Sequence, residues 1–200
     1  MKDLVNRLSQ LSNQINSEYP QWASTVLGVT AFAMLKQRVV NKGVASDGSS
    51  FSPYSTKPIL VGAKSFRTKA AAQSVFGSKD KRKTLEWKTI DRGGAKYRLA
   101  LLPGGYKQIR TIEGSQVGHK SFLRSGEMWL SIHVEGTRQE GQGKFVTTVG
   151  SEVELTNKKL AGNEAREGKQ ILGVTSQEET QLGEIMDKYV TNLVNRAFNG

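Results

Sequence analysis

The sequence predicts an α+β protein in which N-terminal helices and a long C-terminal helix pack on a small antiparallel β-sheet, with an inserted basic β-hairpin arm. Three observations carry this prediction. Apolar residues recur at every third or fourth position near both ends of the chain, as in amphipathic helices. Between the ends, short runs rich in β-branched and aromatic residues are separated by turn residues. At 200 residues, the chain is long enough for a single domain with a sizeable core.

The first 42 residues are predicted to form the N-terminal helices. The first helix has an apolar face made by Leu4, Val5, Leu8, Leu11 and Ile15. Tyr19-Pro20 is expected to end this helix, because the residue before a proline is disfavoured in the α conformation. A second helix then begins near Gln21, and Gly43 is its stop signal. Both apolar faces are expected to lie in the core.

Residues 43–64 are predicted to form a structured loop. The stretch 46–56 reads SDGSSFSPYST, and serine, glycine, aspartate and proline at this density are typical of turns. Phe51 and Tyr54 are the aromatic side chains expected to anchor the loop.

Residues 65–110 are predicted to be a basic insertion that contains a β-hairpin. Residues 84–90 and 96–102 have the composition of strands, and 91–95 (DRGGA) supplies the turn. The hairpin is expected to pack on a neighbouring protein, with its own subunit as the alternative support. Its candidate partner-facing or DNA-facing residues are Lys81, Arg82, Lys83, Trp87, Lys88, Arg92, Lys96, Tyr97 and Arg98.

The net charge of +11 is concentrated in one part of the chain. Residues 57–110 hold 14 Lys and Arg against 3 Asp and Glu, whereas the other residues hold equal numbers of basic and acidic groups. A basic segment of this kind indicates a polyanionic or acidic partner. The alternative is a solvated charged segment that keeps the chain soluble.

Residues 111–200 are predicted to hold the sheet and the C-terminal helix. Strands are expected at 128–134 and 144–149, and a capping box at 176–179 (SQEE) is expected to start the helix. The helix residues expected to face the core are Leu182, Ile185, Met186, Tyr189, Val190 and Leu193.

No catalytic, cofactor-binding or metal-binding residue is predicted, so the chain is expected not to be an enzyme; a small hydrolase is the residual alternative. The absence of cysteine excludes thiolate chemistry. Residues 162–169 (GNEAREGK) only resemble a phosphate-binding loop, because five residues separate the glycines and Gln170 follows the lysine. The longest apolar run, 22–35, is shorter than the roughly 20 residues of a membrane span. We therefore expect a soluble chain with no membrane partner.

Four segments resemble motifs of the phage virion-morphogenesis family, and they occur in the order found in that family. Residues 123–132 (LRSGEMWLSI) resemble its L-x-[ST]-G-x-L-x-x-S-I core, and 149–151 (VGS) the end of its next strand. Residues 171–175 (ILGVT) are similar to the [FI]-L-G-[LV]-[ST] box before its last helix. Residues 47–55 (DGSSFSPYS) are similar to its D-G-x-x-[WF]-x-P-L-S loop.

This family comprises tail-completion and neck proteins of tailed bacteriophages. The resemblance implies one connector-type domain over 1–200 that forms a homo-oligomeric ring. The ring would join neighbouring portal or adaptor and tail proteins and would leave an axial path for DNA, with non-specific contact to the genome. It would be assembled in the host cytoplasm and reside in the virion at the head–tail interface, without a cofactor.

The alternative function is a basic nucleic-acid-binding module that acts through the Lys57–Arg110 segment. In that hypothesis the cations neutralise phosphates while Trp87 and Tyr97 stack on bases.

Overall fold

Helices and small antiparallel sheets alternate along the chain, of which the computed structural model describes residues 2–122, 126–141 and 144–199. The sheets have three and two strands, and a long helix lies near each terminus. The predicted α+β class is confirmed.

In chain order the elements are α1 (Lys2–Trp22), a π-helical segment (Ala23–Gly28), α2 (Val29–Lys36), a second π-helical segment (Gln37–Lys42), β1 (Ile59–Val61), a 3-10 turn (Ala63–Ser65), α3 (Lys69–Phe76), α4 (Lys79–Lys83), β2 (Trp87–Arg92), β3 (Ala95–Leu102), α5 (Gly105–Ile112), α6 (Glu127–Ser131), β4 (His133–Gln139), β5 (Phe145–Gly150), α7 (Glu154–Glu167) and α8 (Ser176–Asn199).

The chain forms two compact units. The first, which we call the helical unit, comprises Met1–Ser50 and Gly126–Gly200; the second, the basic unit, is Phe51–Ser125. The sequence predicts one domain over 1–200 with 65–110 as an arm. The structure instead gives the inserted segment its own apolar core, which makes it a unit in its own right.

The predicted break at Tyr19-Pro20 is wrong, because α1 continues through Pro20 and the chain stays helical to Lys42. A proline inside a helix removes one backbone hydrogen bond and crowds the preceding turn. Here the helix widens into a π-helical segment just beyond Pro20. The hydroxyl of Ser24 also donates to the Pro20 carbonyl at 3.1 Å. The helix therefore tolerates the proline at the point where its winding changes.

Two glycines determine where this long helix ends and how closely it packs on the β4–β5 sheet. Gly43 adopts a φ of 66° and ends it, with its N–H donating to the Val39 carbonyl, so the predicted stop is confirmed. Gly28 lies against the β4–β5 sheet, where a Cβ would approach Val134 Cγ1 to 2.7 Å and Thr147 Cγ2 to 2.9 Å. A side chain at Gly28 would therefore separate the helix from the sheet.

Aromatic rings fill the space between α1, α8 and β5. The rings of Trp22 and Tyr189 stack at 3.8 Å and 11°, and Tyr19 lies 4.9 Å from Phe145. Burial, reinforced by the nearby Glu18 carboxylate, raises the pKa of Tyr189 above its ordinary value. These contacts hold α1 to α8 along one side.

The apolar face predicted for the first helix is largely exposed, which corrects the expectation that all of it lies in the core. The exposed residues and their exposed fractions are Leu4 (53%), Val5 (58%) and Leu8 (50%). In α8, Leu193 is buried as predicted, whereas Met186 and Val190 are exposed. No residue of α1 is fully buried.

The strand predicted over 128–134 is wrong in its first half, because Glu127–Ser131 forms α6 and β4 begins only at His133. Met128 and Trp129 are adjacent in sequence and both buried. A strand would place them on opposite faces, whereas a helix can bury neighbouring residues on one side. The second predicted strand is confirmed as β5, which pairs antiparallel with β4.

A buried ion pair joins the end of the N-terminal helix to the start of α8. Arg38 Nε donates to Glu178 Oε1 at 2.9 Å. The two terminal nitrogens of the same guanidinium donate to the carbonyls of Val44 (2.9 Å) and Gly173 (2.6 Å). One buried side chain therefore holds three segments that are far apart in sequence.

The N-cap of α8 completes this network. The N–H of Thr175 donates to Glu178 Oε2 at 2.9 Å, and the N–H of Glu178 donates to the Thr175 hydroxyl at 3.1 Å. This reciprocal pair is a capping box. It lies one residue before the predicted one at 176–179.

The basic unit is built on the β1–β3–β2 sheet, in which both pairs of strands are antiparallel. The predicted hairpin is confirmed as β2 and β3, but β2 begins at Trp87 instead of residue 84. The turn, predicted over 91–95, is confined to Gly93 and Gly94, both in positive φ. The buried residues of this unit's core are Val61, Phe66, Ala71, Ala100, Leu102 and Ile109. Because two of them belong to β3, the base of the hairpin packs in the core of its own unit.

The predicted loop over 43–64 is ordered by local hydrogen bonds and by its two aromatic anchors, but it also contains β1. Asp47 accepts hydrogen bonds from the N–H and the hydroxyl of Ser49, which lower the pKa of the Asp47 carboxyl. Phe51 and Tyr54 are buried, as predicted.

Replacing Arg38 with Met should lower the free energy of unfolding of the helical unit by about 3–5 kcal/mol, because Glu178 would remain buried without its partner. Urea unfolding followed by the fluorescence of Trp22 and Trp129 measures this change. Lys158→Met is the control, since Lys158 pairs with Glu154 on the exposed surface and should cost less than about 1 kcal/mol. Equal losses in the two variants would contradict a structural role for the buried pair.

Leu102→Ala and Leu101→Ala form a matched pair that tests the core of the basic unit. Leu102 is buried on the core face of β3, whereas Leu101 points to the opposite face and is half-buried. We expect Leu102→Ala to cost about 2–5 kcal/mol and Leu101→Ala clearly less. Hydrogen exchange of the β3 amides measures both effects. The reverse order would mean that the two faces have been assigned wrongly.

Candidate functional site

The basic unit carries more positive charge than the chain as a whole. Residues 51–125 hold 16 Lys and Arg against 4 Asp and Glu, a net charge of +12, and the rest of the chain has a net charge of −1. The two units therefore present very different surfaces to a charged partner.

The acidic groups in the predicted basic segment are engaged close to their own positions in the chain. Asp80 pairs with Lys83 at 3.3 Å and Glu86 with Lys88 at 2.7 Å. Asp91 accepts the Gly94 N–H at 3.0 Å and so stabilises the hairpin turn. No carboxylate oxygen within the described residues lies within 4 Å of the charged groups of Lys81, Arg92, Lys96 or Arg98.

Strand alternation divides the predicted hairpin residues between two faces. Trp87, Lys96 and Arg98 share the face that becomes the core at the base of the hairpin. Lys88, Arg92 and Tyr97 lie on the opposite face. The structure therefore does not bring all the predicted residues onto one surface.

The Trp87 ring is covered by other residues of the basic unit. Its Nε1 donates to the Arg82 carbonyl at 2.9 Å, and the Arg98 guanidinium carbon lies 4.8 Å from the ring centre. Phe76 packs beside the ring, with the two ring centres 5.9 Å apart. Trp87 is thus unsuited to base stacking in this conformation, whereas Tyr97 is 48% exposed.

Helix α4 lies next to the base of the hairpin. Its residues Lys81, Arg82 and Lys83 are exposed, and Ser78 caps it by accepting the Lys81 N–H at 3.2 Å. The bond from Trp87 to the Arg82 carbonyl places α4 on the side of the hairpin that carries Arg98. This contact, which the sequence analysis missed, brings two groups of cations around one indole.

The helical unit has an open polar cavity of about 590 Å³ beside the Arg38–Glu178 pair. Its lining includes Lys42, Asp47 and Ser176. The charged groups of Arg38 and Glu178 are bonded to each other and to backbone atoms, so neither is free for acid–base chemistry. Over the described ranges, no three His, Asp or Glu residues are grouped as metal ligands would be.

The segments that resemble motifs occupy several kinds of structure. Residues 123–125 of the 123–132 motif lie outside the described residues, and its later part forms α6. The 171–175 segment leads into α8, with Thr175 as the N-cap. Residues 162–167 of the stretch that resembles a phosphate-binding loop are helical, in α7.

Arg98→Ala should uncover the Trp87 ring, because the guanidinium is the charged group that lies over it. We expect the indole emission to shift to longer wavelength and acrylamide quenching to increase. Trp22 and Trp129 belong to the other unit, so their signals should not change. Lys96→Ala on the same face is the control, and a similar shift in that variant would contradict the assigned contact.

None of the helices in the described ranges has a stretch that is both long enough and apolar enough to cross a bilayer. Comparisons with protein families, curated proteins and solved structures found no match to this chain.

Proposed function

We propose that the chain is a structural ring component of a tailed-bacteriophage head–tail connector, acting as a neck or tail-completion protein. In this proposal, copies of the chain form a ring between portal or adaptor proteins and tail proteins and leave an axial path for DNA. Its work is adhesion and spacing, without bond chemistry. The protein would act in the virion. The proposal is supported by the four segments that resemble family motifs, which occur along the chain in the family's order.

The observation that carries the proposal is the uncovered apolar face of the terminal helices. On α1, Leu4, Val5 and Leu8 are each at least half exposed. On α8, the exposed residues Met186, Val190 and Val194 recur at every fourth position and so form a stripe. Monomeric proteins rarely expose large contiguous apolar surfaces, and where such surfaces occur they usually mark a binding interface.

The occupant that fits this face is a second copy of the chain. The helical unit has a net charge of −1, so two copies can approach through it with little electrostatic repulsion. The basic units, each at +12, would repel one another and need an anionic partner instead. Cyclic assemblies use contacts between different surfaces of identical subunits, which two unlike helical stripes would supply.

The alternative function is a nucleic-acid-binding module acting through Lys57–Arg110. Of the two observations that suggested it, the positive charge and the aromatic residues for base stacking, only the first still favours it. The unneutralised positive charge favours it, whereas Trp87 is covered and does not offer a stacking surface.

The proposal is tested first by the genes that flank the coding sequence and then by the virion. Portal, capsid and tail genes on both sides are expected, and a metabolic operon would contradict the proposal. Inactivating the gene should give DNA-filled heads that fail to join tails, visible by electron microscopy. Normal particles from the inactivated genome would overturn it.

Leu8→Asp should abolish complementation of that defect, because a charge would be placed in the apolar contact between copies. Leu8 is half exposed, so the variant should stay folded by circular dichroism. Asn6→Asp is the control, since it adds the same charge on the same helix at an exposed polar position and should complement. Complementation by both variants would show that the α1 face makes no essential contact.

A further inference from the structure

The outer part of the β2–β3 hairpin is a narrow two-stranded ribbon that extends beyond the core of its unit. Its residues are exposed from Lys88 to Arg98, apart from the half-buried Ile90. The two-residue turn at Gly93 and Gly94 keeps the tip tight, and Asp91 stabilises it. Among the residues that the structure describes, no third strand pairs with the exposed tip of this hairpin.

Cations project from both faces of this ribbon. Lys96 and Arg98 lie on one face, and Arg92 lies on the other, where Lys88 already pairs with Glu86 at 2.7 Å. The only acidic residue between them along the chain, Asp91, accepts the Gly94 N–H. A partner that neutralises the ribbon therefore has to present negative charge on both of its sides.

We propose that this ribbon binds double-stranded nucleic acid by entering the major groove, with its two cationic faces directed at the phosphates on the two groove walls. The major groove of B-DNA is about 12 Å wide and admits a two-stranded β-ribbon. Because the contacts are to phosphates, they position the protein without reading sequence. This inference does not depend on the connector proposal.

Helix α4 extends the same contact. The bond from Trp87 Nε1 to the Arg82 carbonyl fixes α4 beside the ribbon's base. Its cations Lys81 and Lys83 are exposed there, and Lys83 also pairs with Asp80 at 3.3 Å. They are placed to meet the phosphate backbone outside the groove.

Two other partners fit less well. A single strand is usually held by aromatic side chains on which successive bases stack, and here Trp87 is covered by Arg98, which leaves Tyr97. Protein interfaces have an apolar centre depleted in charge, whereas the ribbon's outer part is mostly charged or small residues. A duplex needs neither feature.

The test is fluorescence anisotropy of a labelled 25-base-pair DNA duplex titrated with the full chain, at several salt concentrations. We expect the duplex to bind more tightly than the single strand of the same length and sequence. The logarithm of the affinity should fall linearly with the logarithm of salt concentration. Tighter binding of the single strand would overturn the proposal.

Arg92→Gln and Lys96→Gln test the two faces separately. Each should weaken duplex binding roughly fivefold at 0.15 M salt and reduce the salt slope by about 0.9, as expected for one lost phosphate contact. Lys188→Gln on α8 is the matched control, because it removes the same charge from the helical unit and should change neither value. Loss from one face alone would mean that the ribbon lies on the duplex rather than in a groove, and would overturn the proposal.

Competitors test the groove and the class of partner. Methyl green, which occupies the major groove, should displace the protein, and the minor-groove ligand netropsin should not. Poly-glutamate at equal charge concentration should compete poorly. Displacement by netropsin, or by poly-glutamate as readily as by unlabelled duplex, would overturn the proposal; the second result would identify an acidic protein as the better partner.

Discussion

The buried guanidinium of Arg38 is the constraint on which the architecture of the helical unit depends. It bonds to Glu178 and to the carbonyls of Val44 and Gly173, so the N-terminal helix, the following loop and the start of α8 meet at one side chain. A buried charge is tolerable only when its hydrogen-bonding groups are satisfied. The geometry of all three segments is therefore specified together. The capping box of Thr175 uses the second Glu178 oxygen, which couples the first turn of α8 to the same ion pair.

The hairpin shows how one pair of strands serves two purposes. At its base, Ala100 and Leu102 face the core and pack with helices of the basic unit. Farther along the same face, Arg98 lies over the Trp87 ring, and Lys96 is exposed beyond it. The change from apolar to cationic residues along a single face marks the point where the core ends. The base of the hairpin therefore contributes to stability and the tip carries the charge, so substitutions at the tip can change the surface charge with little effect on folding.

Local signals in the sequence were sufficient for elements whose cause is local. The hairpin turn at Gly93 and Gly94, the helix end at Gly43 and the long C-terminal helix follow from turn chemistry, a left-handed glycine and apolar spacing. The helix break predicted at Pro20 is wrong because the widening of the helix beyond Pro20 and the packing of this helix on α8 are not local properties. A strand is predicted over 128–134 because these residues are strand-forming by composition, whereas Glu127–Ser131 is helical. The division of the candidate cations between two faces depends on the two-residue turn, which the predicted turn over 91–95 did not give. The covering of Trp87 by Arg98 and the bond from Trp87 to Arg82 required tertiary structure.

The separation of charge between the units connects the two proposals energetically. If copies associate through the near-neutral helical unit, the assembly gathers basic units that carry +12 each. Their mutual repulsion opposes association at low salt, and a bound polyanion relieves it. Thermodynamic linkage then requires reciprocity: a duplex that favours the assembled state binds the assembly more tightly than it binds the single subunit, by the same factor. An apolar self-contact and a cationic ribbon on separate units would therefore make assembly and duplex binding depend on each other, although neither surface touches the other's ligand.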